Sequence, residues 1–257
     1  MNHFIKSKNL LIAISLVGLS LLSTVTSQAT IVRFETTLGD IEVNLYDQTT
    51  PLTVANFLQY LNNGDYANVV FHRAETNFVL QGGGFAYTGI WPLDGVSTTA
   101  PVNNEPVHSN VTGTIAMAKL GGDPDSATNQ WFFNLGDNSL NLDRQNGGFT
   151  VFGEVIGDGM TVISEIVALQ RYNLGGAFTS IPLQNYDVSN DPNDTNLMII
   201  NTIVVLDDAI DSAAGLNPPA NIGPVIVVDP PAGSGGGTFG YLMLGLALLS
   251  YRKFYKS

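Results

Sequence analysis

The sequence predicts a mainly β fold, in which a closed antiparallel barrel carries helical caps. Short strand-like stretches alternate with turn residues throughout residues 30–208. Two longer stretches in this region change to a helical period, and no charge run or internal repeat interrupts it. Many short strands combined with two helices are typical of a barrel with helical caps.

The first predicted element is a hairpin. The stretch "IVRFETTLGDIEVNLY", residues 31–46, contains two strands joined at Leu38-Gly39-Asp40. The second strand places apolar side chains at alternate positions, which are Ile41, Val43 and Leu45. Because successive side chains of a strand point to opposite faces, this pattern predicts one buried face.

Two helices are predicted from a change of period. In "TTPLTVANFLQYLNNGDY", residues 49–66, Pro51 suits the first turn and Gly64 suits the end of the helix. A second helix is predicted at "GMTVISEIVALQ", residues 159–170. We interpret both apolar stripes as core packing, and their members are Val54, Phe57, Leu58 and Leu61 in the first helix and Val162, Ile163, Ile166 and Leu169 in the second.

The other predicted elements are short strands. They lie between and after the helices, and most are apolar runs bounded by turn residues. They are "VVFHRA" (69–74), "FVLQGG" (78–83), "GTIAMAK" (113–119), "QWFFNL" (130–135), "TVFGEVI" (150–156) and "LMIINTIVVL" (197–206).

The first 29 residues have the layout of a secretory signal peptide. Two lysines precede an apolar run, and small residues follow it up to Ala29. An uncleaved membrane anchor is the alternative, although the run is shorter than the about 20 residues that a membrane span needs. We therefore expect an exported protein whose mature domain, residues 30–208, begins near Thr30.

The C-terminal region predicts a linker and then a membrane-directed segment. Residues 209–233 are rich in Pro and Gly, as linkers are. Residues 234–257 combine glycines, an apolar stretch and a basic end, "YRKFYKS", which favours at least transient contact with the membrane. This order resembles the GlyGly-type C-terminal sorting signals of Gram-negative bacteria; a permanent tail anchor is the alternative. We expect a protein of the periplasm or cell envelope, either anchored by this segment or processed to the cell surface.

Composition excludes several classes of function. The chain has 10 basic and 22 acidic residues, and the basic residues of its termini do not belong to the domain. An acidic domain argues against nucleic acid as a partner. There is no cysteine, so the chain has neither a disulfide framework nor a thiol nucleophile.

Familiar catalytic and metal motifs are absent from the sequence. His3, His72 and His108 do not have metal-ligand spacing, and there is no GxSxG motif. The glycines at 82–84 lack the Lys-Ser/Thr of a phosphate loop. The stretch "DPDSATNQ" at 123–130 lacks the glycine and the closing glutamate of a calcium loop. We expect no cofactor and no metal.

Four motifs in a fixed order carry a resemblance to a known family. They are "FHRAETNFVLQGGGF" (71–85), "NNEPVHSNVTGTIAMAK" (103–119), "DPDSATNQWFFNLGDNSLNLD" (123–143) and "GGFTVFGEVIGDGM" (147–160). They resemble the cyclophilin family of peptidyl-prolyl cis-trans isomerases, particularly exported bacterial members, over nearly all of residues 30–208. The resemblance implies an eight-stranded closed antiparallel β-barrel capped by two α-helices.

The chemistry of this family needs no nucleophile. Rotation about an X-Pro bond must overcome amide resonance, a barrier of about 18–20 kcal/mol. An apolar slot can hold the proline ring, and a donor can meet the lone pair that the amide nitrogen gains as it twists. A guanidinium suits this role because it stays protonated.

The resemblance implies a role for each of the matching residues. Arg73 would be the donor, Phe78 would contact the proline ring, and Gln81 would hold Arg73 and contact the substrate backbone. The substrate-binding residues implied in the same way are Val79, Met117, Ala118, Lys119, Gln130, Trp131, Phe132, Leu142 and Phe149.

Each assignment has a structural alternative. Arg73 could be an ion-paired structural arginine, and the apolar residues could be ordinary core residues. The two glutamines could be satisfied amides at the barrel edge. We interpret His72 as a packed residue and not as a catalyst.

The chain departs from the family pattern after Arg73. Asn77 can adopt the left-handed conformation that a glycine usually supplies there. Val79 replaces a methionine and shortens one wall of the slot, and Trp131 stands where phenylalanine is usual. Asn141 stands where many eukaryotic members carry a tryptophan important for cyclosporin binding, so we expect weak cyclosporin affinity.

These observations predict a monomeric peptidyl-prolyl cis-trans isomerase. Its partners would be proline-containing segments of unfolded or exported proteins during folding. The alternative is a proline-peptide-binding scaffold or chaperone with weak or incidental catalysis.

Overall fold

The computed structural model describes residues 30–207, 213 and 216–223. The predicted signal peptide, the predicted C-terminal segment and much of the predicted linker lie outside the described residues. The described part is mainly β, with few helices. None of the helices found there has the length and apolar character needed to cross a membrane.

The described elements have the following bounds. The strands are β1 (Ile31–Thr36), β2 (Gly39–Leu45), β3 (Val69–Val70), β4 (Arg73–Glu75), β5 (Val79–Gly82), β6 (Phe85–Ala86), β7 (Asp94–Gly95), β8 (Thr114–Met117), β9 (Trp131–Asn134), β10 (Val151–Ile156), β11 (Gln170–Tyr172), β12 (Ile181–Leu183) and β13 (Ile199–Asp207). The α-helices are α1 (Pro51–Asn63), α2 (Ser139–Leu142) and α3 (Gly159–Ala168), and Gln145–Gly147 forms a 3-10 helix.

Eleven strands form one antiparallel sheet, in the order β4-β5-β9-β8-β10-β2-β1-β13-β3-β6-β7. The sheet curls because β3 and β4 follow one another along the chain and yet pair with different neighbours. The N–H of Phe71 donates to the Met198 carbonyl next to β13 (3.0 Å), and the N–H of His72 donates to the Gln81 carbonyl on β5 (3.1 Å). The segment 69–75 therefore pairs with β5 near one end of the strand order and with β13 towards the other end.

The predicted hairpin is confirmed. Strands β1 and β2 pair from Ile31 opposite Asn44 to Thr36 opposite Gly39. The alternate residues Ile41, Val43 and Leu45 are fully buried. They join a large interior core, and the ring of Phe34 packs edge-on against Trp131 at the centre of that core, with 5.1 Å between the ring centroids.

Both predicted helices are confirmed and cover the core. Helix α1 has Pro51 in its first turn and ends at Gly64, whose left-handed φ of 78° lets its N–H donate to Leu61. Helix α3 ends at Ala168, slightly earlier than predicted, because Leu169 is already extended. The predicted stripe residues all belong to the core or pack against it.

Several short elements were not predicted. Helix α2 has four residues, and β6, β7, β11 and β12 have two or three residues each. Elements of this length show no periodic pattern, because fewer than two repeats of a helix or strand period fit into them.

Part of the predicted linker pairs with the domain. The N–H of Ser109 donates to the Pro219 carbonyl (2.8 Å), and the N–H of Asn221 donates to the Val107 carbonyl (2.9 Å). The segment 216–223 is therefore held against the domain surface and is not a free tether over these residues.

His72 lies between β3 and β4 and makes folding sensitive to acid. Burial lowers the pKa of His72 to about 4, and the positive charge of Arg73 acts in the same direction. The unfolded chain binds a proton at the ordinary pKa of about 6.5, whereas the folded chain does not until about pH 4. The stability that neutral His72 contributes is thus present above pH 6.5 and is lost as the pH falls.

We predict that His72→Gln weakens this acid sensitivity. Between pH 7 and pH 4 the wild-type free energy of unfolding should lose up to about 3 kcal/mol through His72. Urea denaturation at several pH values measures the loss in both proteins, and the two curves should converge at low pH. Parallel curves would show that His72 titrates normally.

Candidate active site

Four neighbouring strands place the predicted site residues in one row. Arg73 on β4 lies opposite Gln81 on β5, and Gln81 lies opposite Phe132 on β9. Phe132 in turn lies opposite Ala116 on β8. Because residues directly opposite each other share a face of the sheet, these side chains lie on the same side.

Arg73 is an ion-paired arginine that keeps a donor unused. Its Nη2 lies 3.4 Å from Oε1 of Glu75, and the hydroxyl of Ser180 donates to the same oxygen at 2.8 Å. Its Nη1 is buried and has no hydrogen-bond partner within the described part of the chain. Burial lowers the pKa of Arg73 and the charge of Glu75 opposes this shift, but an arginine remains protonated in proteins. Arg73 therefore holds a charged N–H group that no other described residue satisfies.

The two predicted glutamines form a pair. Nε2 of Gln81 donates to Oε1 of Gln130 at 2.8 Å. Gln81 thus contacts Gln130. We expected Gln81 to hold Arg73, but the side chain that pairs with Arg73 in the structure is Glu75. Gly84 makes room for the pair, since a Cβ at this position would lie 2.6 Å from Cδ of Gln130.

The predicted proline-slot residues gather in a second apolar cluster, separate from the interior core. We call it the pocket cluster. The rings of Phe132 and Phe149 meet edge-on, with 5.9 Å between their centroids. Its buried members are Tyr46, Val79, Ala116, Phe132, Leu142, Phe149 and Val151, and the partly buried residues that pack against them are Phe78, Ala118 and Leu216.

Met117 and Trp131 are not brought to this cluster. Both are fully buried in the interior core, with neighbours such as Phe133. Met117 follows Ala116, and Trp131 precedes Phe132. The side chains of adjacent residues in a strand point to opposite faces of the sheet. The structure therefore places them behind the site, where they support it without reaching its surface.

Lys119 fixes the loop that carries Phe149. Its Nζ donates to the carbonyl oxygens of Asn146 (2.9 Å) and Gly148 (2.6 Å) and lies 4.8 Å from the centre of the Phe149 ring. Burial lowers the pKa of Lys119 to about 8, although the charges of Asp125 and Asp123 oppose the shift. The backbone beside it is also engaged, because the N–H of Ala118 donates to the Gln130 carbonyl (2.9 Å).

The loop that replaces the usual family sequence is accommodated by Asn77. Its φ is 57°, which confirms the expected left-handed conformation. The N–H of Phe78 donates to the Glu75 carbonyl (3.0 Å), and a Cβ at Gly136 would lie 2.7 Å from the Asn77 carbonyl oxygen. The tight turn delivers Phe78 to the pocket cluster.

A chain of buried polar side chains holds the two loops of the site, and the sequence did not reveal it. Asn138 donates to the Phe78 carbonyl (2.9 Å) and to Oδ1 of Asn134 (2.7 Å). Asn134 donates to Oδ1 of Asn110 (3.2 Å), and Asn110 donates to Asp143 (2.9 Å) and to the Phe149 carbonyl (3.0 Å). The network thus connects the backbone of Phe78 to the backbone of Phe149 through buried side-chain hydrogen bonds. The only sequence signal is the cluster of asparagines around α2.

Within residues 30–207, 213 and 216–223, no three His, Asp or Glu side chains converge in a way that could hold a metal ion. The site consists of a cationic donor, two amides and an apolar cluster. This set can bind an extended peptide and an apolar ring, and it can stabilise a developing lone pair.

Comparison with known proteins connects this arrangement to one family. Residues 31–190 match the family model "Cyclophilin type peptidyl-prolyl cis-trans isomerase/CLD". A peptidyl-prolyl cis-trans isomerase of Acinetobacter baylyi is 42% identical over 167 residues, which cover 64% of this chain and 85% of that protein. Peptidyl-prolyl cis-trans isomerase B of Escherichia coli is 41% identical over 141 residues, or 52% of this chain and 82% of that protein.

Solved structures agree on the fold. A crystal structure of a cyclophilin type peptidyl-prolyl cis-trans isomerase from Cryptosporidium parvum has a TM-score of 0.51 at 21% sequence identity and covers 70% of this chain and 98% of that chain. The same Cryptosporidium protein in the presence of the dipeptide Ala-Pro has a TM-score of 0.50 at 22% identity and covers 69% of this chain and 99% of that chain.

We predict that Asn138→Ala destabilises the fold and loosens the Phe78 loop. The substitution leaves Oδ1 of Asn134 without its Asn138 donor, whereas the Phe78 carbonyl keeps the N–H of Leu135 (2.9 Å). A buried acceptor without a donor costs about 1–3 kcal/mol. Chemical denaturation measures this cost. Asn141→Ala, in the helix α2 that directly follows Asn138, is a matched control, because Oδ1 of Asn141 has no partner among the described residues. Equal stability of the two variants would contradict the role of the network.

Proposed function

The chain belongs to the cyclophilin-type family of peptidyl-prolyl cis-trans isomerases and is such an isomerase (EC 5.2.1.8), and from this premise we propose how its residues act. Arg73 donates a hydrogen bond to the nitrogen of the twisted prolyl amide. The observation that carries the proposal is the buried, unpartnered Nη1 of Arg73 on the face that also bears Phe132.

The donor acts on the transition state more than on the ground state. In the planar amide the nitrogen lone pair is delocalised and accepts hydrogen bonds poorly, whereas in the twisted amide it is localised. The charged N–H group of Arg73 therefore finds an acceptor, the nitrogen lone pair, only in the twisted transition state. Since Nη1 is held on the protein by the Glu75 ion pair at Nη2, it needs little reorganisation to meet this acceptor.

The pocket cluster supplies the binding surface for the proline ring. The side chains of Phe78, Val79, Phe132, Leu142 and Phe149 are apolar and carry no competing donor. Burying such surface stabilises a complex by about 25 cal/mol per Å². The Gln81–Gln130 pair and the backbone near Ala118 and Lys119 lie beside it, and we assign them to the extended peptide backbone on either side of the proline.

The proposal extends to the barrel itself. If the segment 69–75 is counted as one strand, it joins β13 to β5, and eight strands then follow one another around the curled sheet. A closed barrel of this kind would keep Arg73 and Phe132 at a fixed separation.

We further propose that the isomerase acts outside the cytoplasm on proline-containing segments of exported proteins. The support is the signal-like sequence of residues 1–29 and the apolar and basic sequence of residues 234–257. The strongly acidic remainder of the chain fits a monomeric soluble domain.

We predict that Arg73→Ala lowers kcat/KM for a peptide containing Ala-Pro by about tenfold or more, equivalent to about 1.4 kcal/mol. Exchange spectroscopy by NMR measures cis-trans rotation directly, and peptide binding should change little. Arg33→Ala is the matched control, since Arg33 is also an ion-paired strand arginine, 3.2 Å from Glu42, but lies on β1. Unchanged rotation in Arg73→Ala would overturn the role of Arg73, and binding without rotation in the wild type would favour the scaffold hypothesis.

We predict that the mature protein starts near Thr30 and is recovered from the cell envelope. Mass spectrometry of both termini after cell fractionation checks this. An intact "YRKFYKS" end in the inner membrane would support the tail anchor, and its loss would support processing to the surface. An uncleaved N terminus in the cytoplasmic fraction would contradict export.

A further inference from the structure

A segment that follows the isomerase domain is bound against the loops of the active site. The N–H of Ser109 donates to the Pro219 carbonyl, and the N–H of Asn221 donates to the Val107 carbonyl. Between these two bonds His108 and Ala220 form an antiparallel bridge. The segment 216–223 therefore adds a short strand to the edge at 107–109, as peptides do when they bind to an exposed edge.

The far end of the segment is fixed at the loop that carries two pocket residues. Nδ2 of Asn221 donates to the Asp143 carbonyl at 3.3 Å. Gly148 permits this approach, because a Cβ there would lie 3.0 Å from Nδ2 of Asn221 and its φ of 80° is unfavourable for other residues. Asp143 follows Leu142 and Gly148 precedes Phe149, so the contact is made beside the pocket cluster.

The near end of the segment reaches the pocket cluster itself. Leu216 packs against this cluster and is the one described member from outside residues 30–207. Val79, Phe132 and Leu142 are 0% exposed and Phe149 is 4% exposed. A slot that binds a proline ring must offer apolar surface to the ligand, and these four side chains offer almost none while Leu216 packs against their cluster.

The chemistry of the segment matches that of a substrate. It reads "LNPPANIG", with no charge, an apolar first residue and two consecutive prolines. An uncharged, extended, proline-containing chain can lie on an apolar surface without burying an unpaired charge. Ile222, the other large apolar residue of the segment, is 82% exposed, so Leu216 is the one of these two side chains that packs against the domain.

We propose that residues 216–223 form an internal competitor of the substrate. Leu216 covers the proline slot, and a proline peptide binds only when Leu216 has left it. The proposal rests on the proposed function, in that the pocket cluster is the substrate slot. Because the competitor is part of the same chain, its effective concentration is high. The apparent dissociation constant of the substrate is then the intrinsic constant divided by the fraction of molecules that are open.

The test uses the full chain with Leu216→Ser. Releasing the cover should lower KM for an Ala-Pro tetrapeptide by about threefold or more with kcat unchanged, since only the open fraction changes. The dissociation constant of the same peptide, measured by NMR titration, should fall by the same factor. Asn221→Ala removes the second anchor and should act in the same direction. Ile222→Ser is the matched control, with the same chemical change on an exposed side chain of the same segment, and should behave as wild type.

The titration separates this proposal from the role of Arg73. If Arg73→Ala leaves rotation unchanged but Leu216→Ser still tightens peptide binding, the catalytic proposal fails and the competitor stands. Equal dissociation constants in wild type, Leu216→Ser, Asn221→Ala and Ile222→Ser overturn the competitor. Weaker binding in Leu216→Ser also overturns it, because Leu216 would then be a wall of the substrate slot. A thermal melt of each variant accompanies the titration.

Discussion

The pairing register of β9 with β5 and β8 is the constraint on which the rest of the structure depends. It directs Phe132 to the pocket cluster and its neighbours Trp131 and Phe133 to the interior core. A slip of one residue would exchange the two faces and would move the site into the core. The fully buried Trp131 resists such a slip, since Gly82 and Gly83 leave room for its ring and a Cβ at Gly82 would lie 2.8 Å from it. The core and the site are thus specified by the same strand.

A fixed register does not position the loops, and buried hydrogen bonds complete the site. The network from Asn138 to Asp143 ends at the carbonyls of Phe78 and Phe149, which both belong to or pack against the pocket cluster. Its members are satisfied by one another and by backbone groups, which makes them rigid in a surrounding of low dielectric. Arg73 differs, because its Nη1 is left without a partner at a cost that the fold must bear. Of the buried side-chain atoms without a partner among the described residues, Nη1 of Arg73 is the one that belongs to a permanently charged group. A charged donor of this kind is expected of a group that acts on a bound molecule.

The features that could be predicted from sequence are those fixed by neighbouring residues. The hairpin at Leu38-Gly39-Asp40, helix α1 from Pro51 to Gly64 and the left-handed Asn77 follow from local patterns. The candidate site residues were predicted because the family motifs are long, and not because their spacing reveals a pocket. The bonds of Asn110 to Asp143 and Phe149 span 33 and 39 residues, and each partner alone looks like an ordinary loop or strand residue. The position of Leu216 was also hidden, since a composition rich in Pro and Gly predicts a linker whether or not one side chain is anchored.

An apolar slot would create a difficulty for the free protein, and the proposed cover by the segment 216–223 would resolve it. Exposed apolar surface favours self-association, so a free slot is a liability when no substrate is present. The cover must still be weak, or substrate could not displace it. The contacts fit this requirement, because they are few. The segment is held by two main-chain hydrogen bonds, by one hydrogen bond from the side-chain amide of Asn221 and by the apolar side chain of Leu216. Each hydrogen bond contributes a net of about 0.5–1.5 kcal/mol, and part of that is offset by the entropy of ordering a proline-rich chain whose backbone is already restricted. A short restricted segment can therefore cover the slot at low cost and still be displaced by a peptide that fills it better.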